Sequence, residues 1–193
     1  MRAAPPTAAI SLTLAVLVAG CGNERQRAPD ATGTQKPAKA TRVAYPAGGV
    51  SLAAPRNWYR VPGSRPLVAY IVSGRAVVAV WRYPRKEPLP AAKSELEQAQ
   101  ANLSDAAHAR DRSVRIESTK LVDVNGVKGI QLVATEHITG LLRRVRSTHL
   151  FDRKAEIVID AYAPPGEFAR VDGSVFQPLL RSLRLRAPSP TQS

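Results

Sequence analysis

Few side chains in this sequence have the types and spacing that chemistry needs. The densest cationic group is Arg143, Arg144 and Arg146, with Arg153 and Lys154 shortly after. On an extended strand, Arg144 and Arg146 share one side. A guanidinium grips carboxylates or phosphates through two parallel N–H bonds. Arg144, Arg146 and Lys154 therefore form the candidate anion-binding face. The same charges also suit a solvated sheet edge that resists pairing with other chains. His108, His137 and His149 show neither a His-x₃-His spacing nor a neighbouring carboxylate cluster, so no metal and no cofactor is expected. There is no Gly-x-Ser-x-Gly motif, and no catalytic residue is assigned. Nucleophilic catalysis would need a Ser/His/Asp set assembled in space. Trp58 and Trp81 could form an aromatic platform, although such tryptophans are more often core.

The one cysteine carries the most specific chemistry. Arg2 precedes an apolar segment from Ile10 to Ala19, and small residues, Ala19 and Gly20, precede Cys21. This is the order of a secretory leader. Val18-Ala19-Gly20-Cys21 resembles the bacterial lipobox. The resemblance implies cleavage between Gly20 and Cys21, with diacylglycerol joined to the thiol as a thioether and fatty acyl chains such as palmitate fixing the new N-terminus. Each buried CH₂ contributes about 0.8 kcal/mol, so two or three chains hold a protein to a bilayer where one holds marginally. The apolar run is interrupted by Pro5-Pro6 and falls short of the ~20 residues of a membrane span. The expected address is lipid-anchored on the outer face of the cytoplasmic membrane, or a periplasmic face.

Composition narrows the partners. The 193-residue chain has 28 Lys+Arg against 15 Asp+Glu, a formal net charge of +13, and the excess is spread along the chain. Such a surface attracts anionic lipid headgroups or acidic wall polymers. An extracytoplasmic address argues against nucleic acid. The preponderance of Arg over Lys also fits a GC-rich genome. With its thiol acylated, the chain has no disulfide, redox or Cys–metal chemistry. Its length suits one domain that folds by packing alone.

The elements that must position these residues follow from periodicity. Residues 1–20 read as leader, and 21–48 as a lipidated N-terminus and disordered tether rich in Ala, Pro, Thr, Gln and Lys. The domain is placed at 49–187 and a disordered tail at 188–193. Val50 to Ala53 alternates as a short strand, and Leu67–Ser73 with Ala76–Tyr83 makes a hairpin around Ser73-Gly74. Residues 91–110 form a helix with Ala92, Leu96, Ala99, Leu103 and Ala106 on its buried stripe. Strands at 114–124, 127–138, 141–151 and 155–162 then meander through Asn125-Gly126, Thr139-Gly140 and Asp152-Arg153-Lys154. Two-residue loops at the first two turns place Arg115 and Arg143 on either side of Glu136, with a bulge expected where the alternation fails. A C-terminal helix is expected at about 174–182, capped near Asp172 or Gly173, with Pro178 in its first turn and Val175, Phe176, Leu179, Leu180 and Leu183 buried. Leu183-Arg184-Leu185 suits a last short strand.

This order, read with Val50-Ser51-Leu52-Ala53-Ala54-Pro55-Arg56-Asn57-Trp58 at the front, Asn125-Gly126-Val127-Lys128-Gly129 between, and Phe176-Gln177-Pro178-Leu179-Leu180-Arg181-Ser182-Leu183-Arg184-Leu185 at the back, resembles the PsbP-like family and its LpqN-like bacterial lipoproteins. The resemblance implies an α+β fold. It is an α/β/α sandwich with a mainly antiparallel twisted sheet of about 6–7 strands. It also implies a non-enzymatic module that binds partners, a protein among them. The expected function is a lipid-anchored binding or accessory module at the cell envelope. One alternative is a carrier of a lipid or small solute between sheet and helix, which an apolar pocket would favour. Another is an envelope hydrolase, which a converging Ser/His/Asp would favour.

Overall fold

The computed structural model describes residues 33–189. Gly20, Cys21, the leader and the final residues of the tail lie outside this range. Ten strands form two antiparallel sheets: β1 (Ala40–Tyr45), β2 (Val50–Pro55), β3 (Tyr59–Pro62), β4 (Leu67–Ser73), β5 (Ala76–Pro84), β6 (Arg115–Val124), β7 (Val127–Ile138), β8 (Leu141–Asp152), β9 (Ala155–Ala163) and β10 (Arg184–Leu185). The large sheet runs β3-β4-β5-β9-β8-β7-β6, and the small one runs β1-β2-β10. Helix α1 (Lys93–Arg110) lies on one face of the large sheet, against β6 and β7. The other face carries a helical run made of α2 (Pro165–Val171), a π turn (Asp172–Phe176) and α3 (Gln177–Ser182). This is the expected α+β sandwich.

Tight turns set the register of the long strands. Asn125 and Gly126 have φ of 56° and 85°, and Thr139 and Gly140 have 50° and 77°. Both central residues in the left-handed region make the turn whose twist matches two antiparallel strands. Arg143 sits opposite Glu136, as the loop length predicts. Arg115 does not: it faces Thr135, because a register shift between Ile116 and Ser118 displaces the end of β6 by one residue. The bulge was expected, and its position falsifies the Arg115 pairing.

Alternation divides the large sheet into two faces. On the inner face, Val78, Val80, Ile157, Ile159 and Leu150 pack against Phe168, Val171, Val175, Phe176 and Leu179 of the helical run. The small sheet adds Val50, Leu52 and Ala54 to that core. Trp58, 2% exposed, meets Phe176 edge-on at 6.4 Å and is core, as expected. Trp81, expected in the core as well, is instead half-buried on the outer face and stacks beside Tyr83, ring planes 13° apart.

Three expectations are corrected. The segment read as tether contains β1, which pairs with β2 from Ala40↔Pro55 to Tyr45↔Val50. Its alternate positions are half-buried through Thr41, Val43 and Tyr45, too modest an apolar stripe to read against the polar composition. On α1 Leu96 and Ala107 are buried and Ala99, Gln100 and Leu103 half-buried, while Ala92 and Ala106 are exposed. Gln100 takes a core-side position because its amide donates to Thr119 Oγ1 at 2.7 Å. The C-terminal helix starts at Pro165, nine residues earlier than expected. Proline at the first helical position lacks an N–H that would have no partner anyway.

The π turn explains how the helix passes Pro178. A proline removes one backbone bond and crowds the carbonyl four residues back. Here the Gln177 N–H reaches the Asp172 carbonyl, five residues back, which widens the turn just ahead of the ring. Asp172 is consequently no cap. Its carboxylate turns inward and accepts from Arg146 Nε at 2.6 Å, Arg146 Nη2 at 2.7 Å and Gln177 Nε2 at 2.7 Å. The side chains of Arg146 and Asp172 are 14% and 9% exposed. Removing one partner leaves the other charge buried without compensation, which costs about 3–5 kcal/mol. Asp172→Ala is expected to lose stability of that order in urea unfolding, and Asp172→Asn somewhat less.

Candidate functional site

The outer face of the large sheet is only partly covered. Helix α1 shields β6 and β7, and between the helix and β8-β9-β5 lies an open cleft of about 500 Å³. Its walls are apolar: Leu103 and Ala106 from α1, Leu132 and Ala134 from β7, Val158 from β9. Its floor is polar, because Ser147 and His149 on β8 and Glu156 and Asp160 on β9 all alternate outward. Arg85, just after β5, and Tyr83 close one side, and Arg110 and Glu136 the other.

These side chains form one hydrogen-bonded chain. Arg85 Nη2 pairs with Glu156 Oε2, and the Arg85 backbone N–H is held by the Lys154 carbonyl at 2.8 Å. Glu156 Oε1 lies 2.6 Å from His149 Nδ1, which fixes a proton on that nitrogen. His149 Nε2 lies 3.1 Å from Ser147 Oγ, and Ser147 donates to Asp160 Oδ1 at 2.6 Å. Ser147 has a single hydroxyl proton, so Asp160 and His149 Nε2 compete for it, and Asp160 is the nearer acceptor.

Charge and burial tune the surrounding groups. Burial pushes the Glu156 carboxyl up, but hydrogen bonds from His149 and Arg85 more than offset this and leave it below the ordinary glutamate range. Glu136 goes the other way, since burial outweighs its pairing with Arg110 at 3.1 Å. Tyr83 is raised by burial and then by the charges of Asp160 and Glu156. Tyr162 is raised strongly by burial and by its 2.7 Å bond to Tyr70.

The candidate anion-binding face does not assemble. Arg144 and Arg146 do share a side, but it is the inner one, where Arg146 is held by Asp172 and by Gln131 at 2.5 Å. Arg144 pairs with Glu117 and lies 5.1 Å over the Phe168 ring. Lys154 sits in the turn at the opposite end of β8. The sheet-edge alternative fails as well, because β8 lies between β9 and β7. The histidines are dispersed: His108 is exposed on α1, His137 is near Ser113 Oγ at 3.3 Å, and His149 alone enters the cleft. Among the described residues no group of three or more His, Cys, Asp or Glu could hold a metal ion. The Ser147–His149–Glu156–Asp160 set was missed. Its signal was Ser-x-His on one strand and Glu-x₃-Asp on the next. Those pairs meet only when Arg153-Lys154 is a two-residue loop, which sets Ser147 opposite Asp160. Reading the turn as three residues left that register open.

The fold is of the PsbP type. Cyanobacterial PsbP (CyanoP) from Synechocystis superposes with a TM-score of 0.58 at 12% identity, over 80% of this chain and 96% of that one. LpqN of Mycobacterium tuberculosis, described as involved in cell envelope biogenesis, superposes with a TM-score of 0.52 at 15% identity, over 76% of this chain and 90% of that one. A Bacteroides thetaiotaomicron protein reaches 0.51 at 10% identity, over 78% of this chain and 49% of its own length. No family model and no curated protein sequence matches the chain.

The depressed Glu156 pKa sets a pH dependence. A carboxyl lowered on folding stabilises the native state above its unfolded pKa, and that contribution is lost as pH falls through the folded value. Thermal melts are expected to drop below the ordinary glutamate range. Glu156→Gln should lower the melting temperature at neutral pH and make the acid-side decline shallower.

Proposed function

We propose that the protein is a lipid-anchored extracytoplasmic binding module of the bacterial envelope, which holds a small solute or lipid in the cleft between α1 and the large sheet. The observation that carries this reading is the cleft itself, with apolar walls over a polar floor whose hydrogen-bonding groups are already oriented. The lipobox at Val18–Cys21 supports the address, and the likeness to LpqN supports the setting. No helix among the described residues is long and apolar enough to cross a membrane, which is compatible with attachment through Cys21. Native mass spectrometry of protein taken from its own membranes is expected to show a bound small molecule. Ala106→Trp, which fills the cleft from an exposed helix position, should abolish the extra mass while leaving the fold intact; equal extra mass in both would refute the reading. Denaturing mass spectrometry should find residues 1–20 gone and Cys21 carrying diacylglycerol, and an unprocessed chain with a bare Cys21 thiol would remove the anchor.

A second reading, an envelope hydrolase, is supported by Ser147 Oγ, His149 Nε2 and Nδ1, and Glu156 Oε1 standing in the order nucleophile, base and orienting acid. Asp160 competes for the serine proton at 2.6 Å. A fluorophosphonate probe separates the readings. Labelling of wild type that is lost in Ser147→Ala and strongly reduced in His149→Gln would support hydrolysis. Ser147 inert to the probe would leave the floor as a recognition surface.

A further inference from the structure

Both ends of the large sheet are exposed, and they differ in chemistry. One end carries the β7–β8 hairpin tip, Ile138-Thr139-Gly140-Leu141-Leu142. Leu141 is 52% exposed and Leu142 48%, the one pointing to the outer side of the hairpin and the other to the inner side. β9 ends at Ala163, opposite Arg144, and β6 pairing ends at Thr135, so the tip projects beyond both neighbouring strands and its two leucines are left uncovered. A left-handed Thr139 and Gly140 make the tip a tight, two-residue turn.

Cations collar this tip. Arg112 and Arg115, in and after the connection from α1, are exposed, and Arg110 at the end of α1 is 71% exposed though paired with Glu136. Arg75, Arg144 and Arg170 lie at the same end of the sheet but are paired with Glu167 or Glu117, which leaves Arg112 and Arg115 as the exposed arginines there without an ion pair among the described residues. The acidic groups there are Asp111, Glu117, Glu136 and Glu167, fewer than the arginines around them.

The chain also enters the fold at this end. Gly33 lies against Gly74, and the Gln35 N–H donates to Ser73 Oγ at 3.1 Å, in the β4–β5 turn. Strand pairing puts that turn on the same side as the hairpin tip, through Val77↔Tyr162, Tyr162↔Val145 and Val145↔Ala134. About a dozen residues separate Gly33 from Cys21, a span of at most ~40 Å when extended. An anchor at Cys21 therefore tethers the domain from its tip end.

We infer that the β7–β8 tip docks into the anionic lipid surface, Leu141 and Leu142 entering the headgroup region and Arg112 and Arg115 meeting lipid phosphates. This rests on the anchored reading for its biological setting, but the tip's affinity for lipid is a property of the domain. The two attachments act together: the acyl chains raise the local concentration of the tip at the surface, and the tip fixes the domain's orientation. The cleft, on the outer sheet face, then opens sideways along the membrane plane.

The inference is tested with the chain from residue 22 onward, which contains both sheets and every core residue described, and vesicles of phosphatidylcholine with or without phosphatidylglycerol. Flotation is expected to recover the protein with phosphatidylglycerol vesicles only, and recovery should fall steeply with salt. Leu141→Asp combined with Leu142→Asp should cut the bound fraction at least tenfold, at positions exposed enough to spare the fold. Leu142→Trp should show a blue-shifted emission on vesicle addition. Lys154→Glu, at the far end, should bind as wild type. No recovery with anionic vesicles, or equal recovery of the Leu141/Leu142 double variant, overturns the inference. Equal loss in Lys154→Glu would mean diffuse charge attraction and overturns it too. An unmodified Cys21 would refute the anchor alone, since these vesicle measurements do not use it.

Discussion

The Arg146–Asp172 contact is the constraint on which the rest of the structure turns. It places two opposite charges in a core that is otherwise Val, Ile, Leu and Phe. Such a pair is tolerable only when its geometry is good and its remaining hydrogen-bonding atoms are satisfied. Two nitrogens of Arg146 meet the two oxygens of Asp172, and Gln131 and Gln177 complete both groups. That arrangement admits one depth and one rotation of the helical run against β8. It also needs Asp172 to face the sheet, which the π turn before Pro178 provides. The local irregularity and the buried pair are thus two sides of one solution.

Closing the inner face in this way determines what the outer face can be. The helical run and the small sheet together cover β4, β5, β9 and β8 from one side. Helix α1, with a stripe of Leu96, Gln100, Leu103 and Ala107, is too narrow and too short in side-chain reach to do the same on the other. Outward-facing residues of β8 and β9 are left in a cleft, and their polar groups satisfy one another. A buried carboxylate such as Glu156 persists there because His149 and Arg85 both donate to it.

The parts of the fold legible in the sequence were those governed by short-range rules. Asn125-Gly126 and Thr139-Gly140 state their turn type outright, and β7 ends where they say it should. The parts that were not legible depend on contacts distant in sequence. Nothing local distinguishes Arg146, whose side chain is 14% exposed, from Arg144 at 36% two positions away on the same side; only the arrival of Asp172 does. The start of the C-terminal helix was obscured by Pro164-Pro165-Gly166, which reads as a break, and by Pro178, which reads as a beginning. β1 was hidden by composition, since Ala, Thr and Arg on its alternating positions resemble a tether until β2 pairs with them. The cleft floor needed one register, that of the Arg153-Lys154 turn, where φ of 50° and 57° is unusual for two long side chains.

Hydrogen exchange read by mass spectrometry, comparing the anchored protein in its own membranes with the purified soluble domain, addresses the central claim that the outer cleft is the working surface. The account predicts added protection in the membrane-bound state over the α1 and β8–β9 segments that line the cleft. Unchanged exchange across those segments, with new protection confined to the helical run on the inner face, would contradict it.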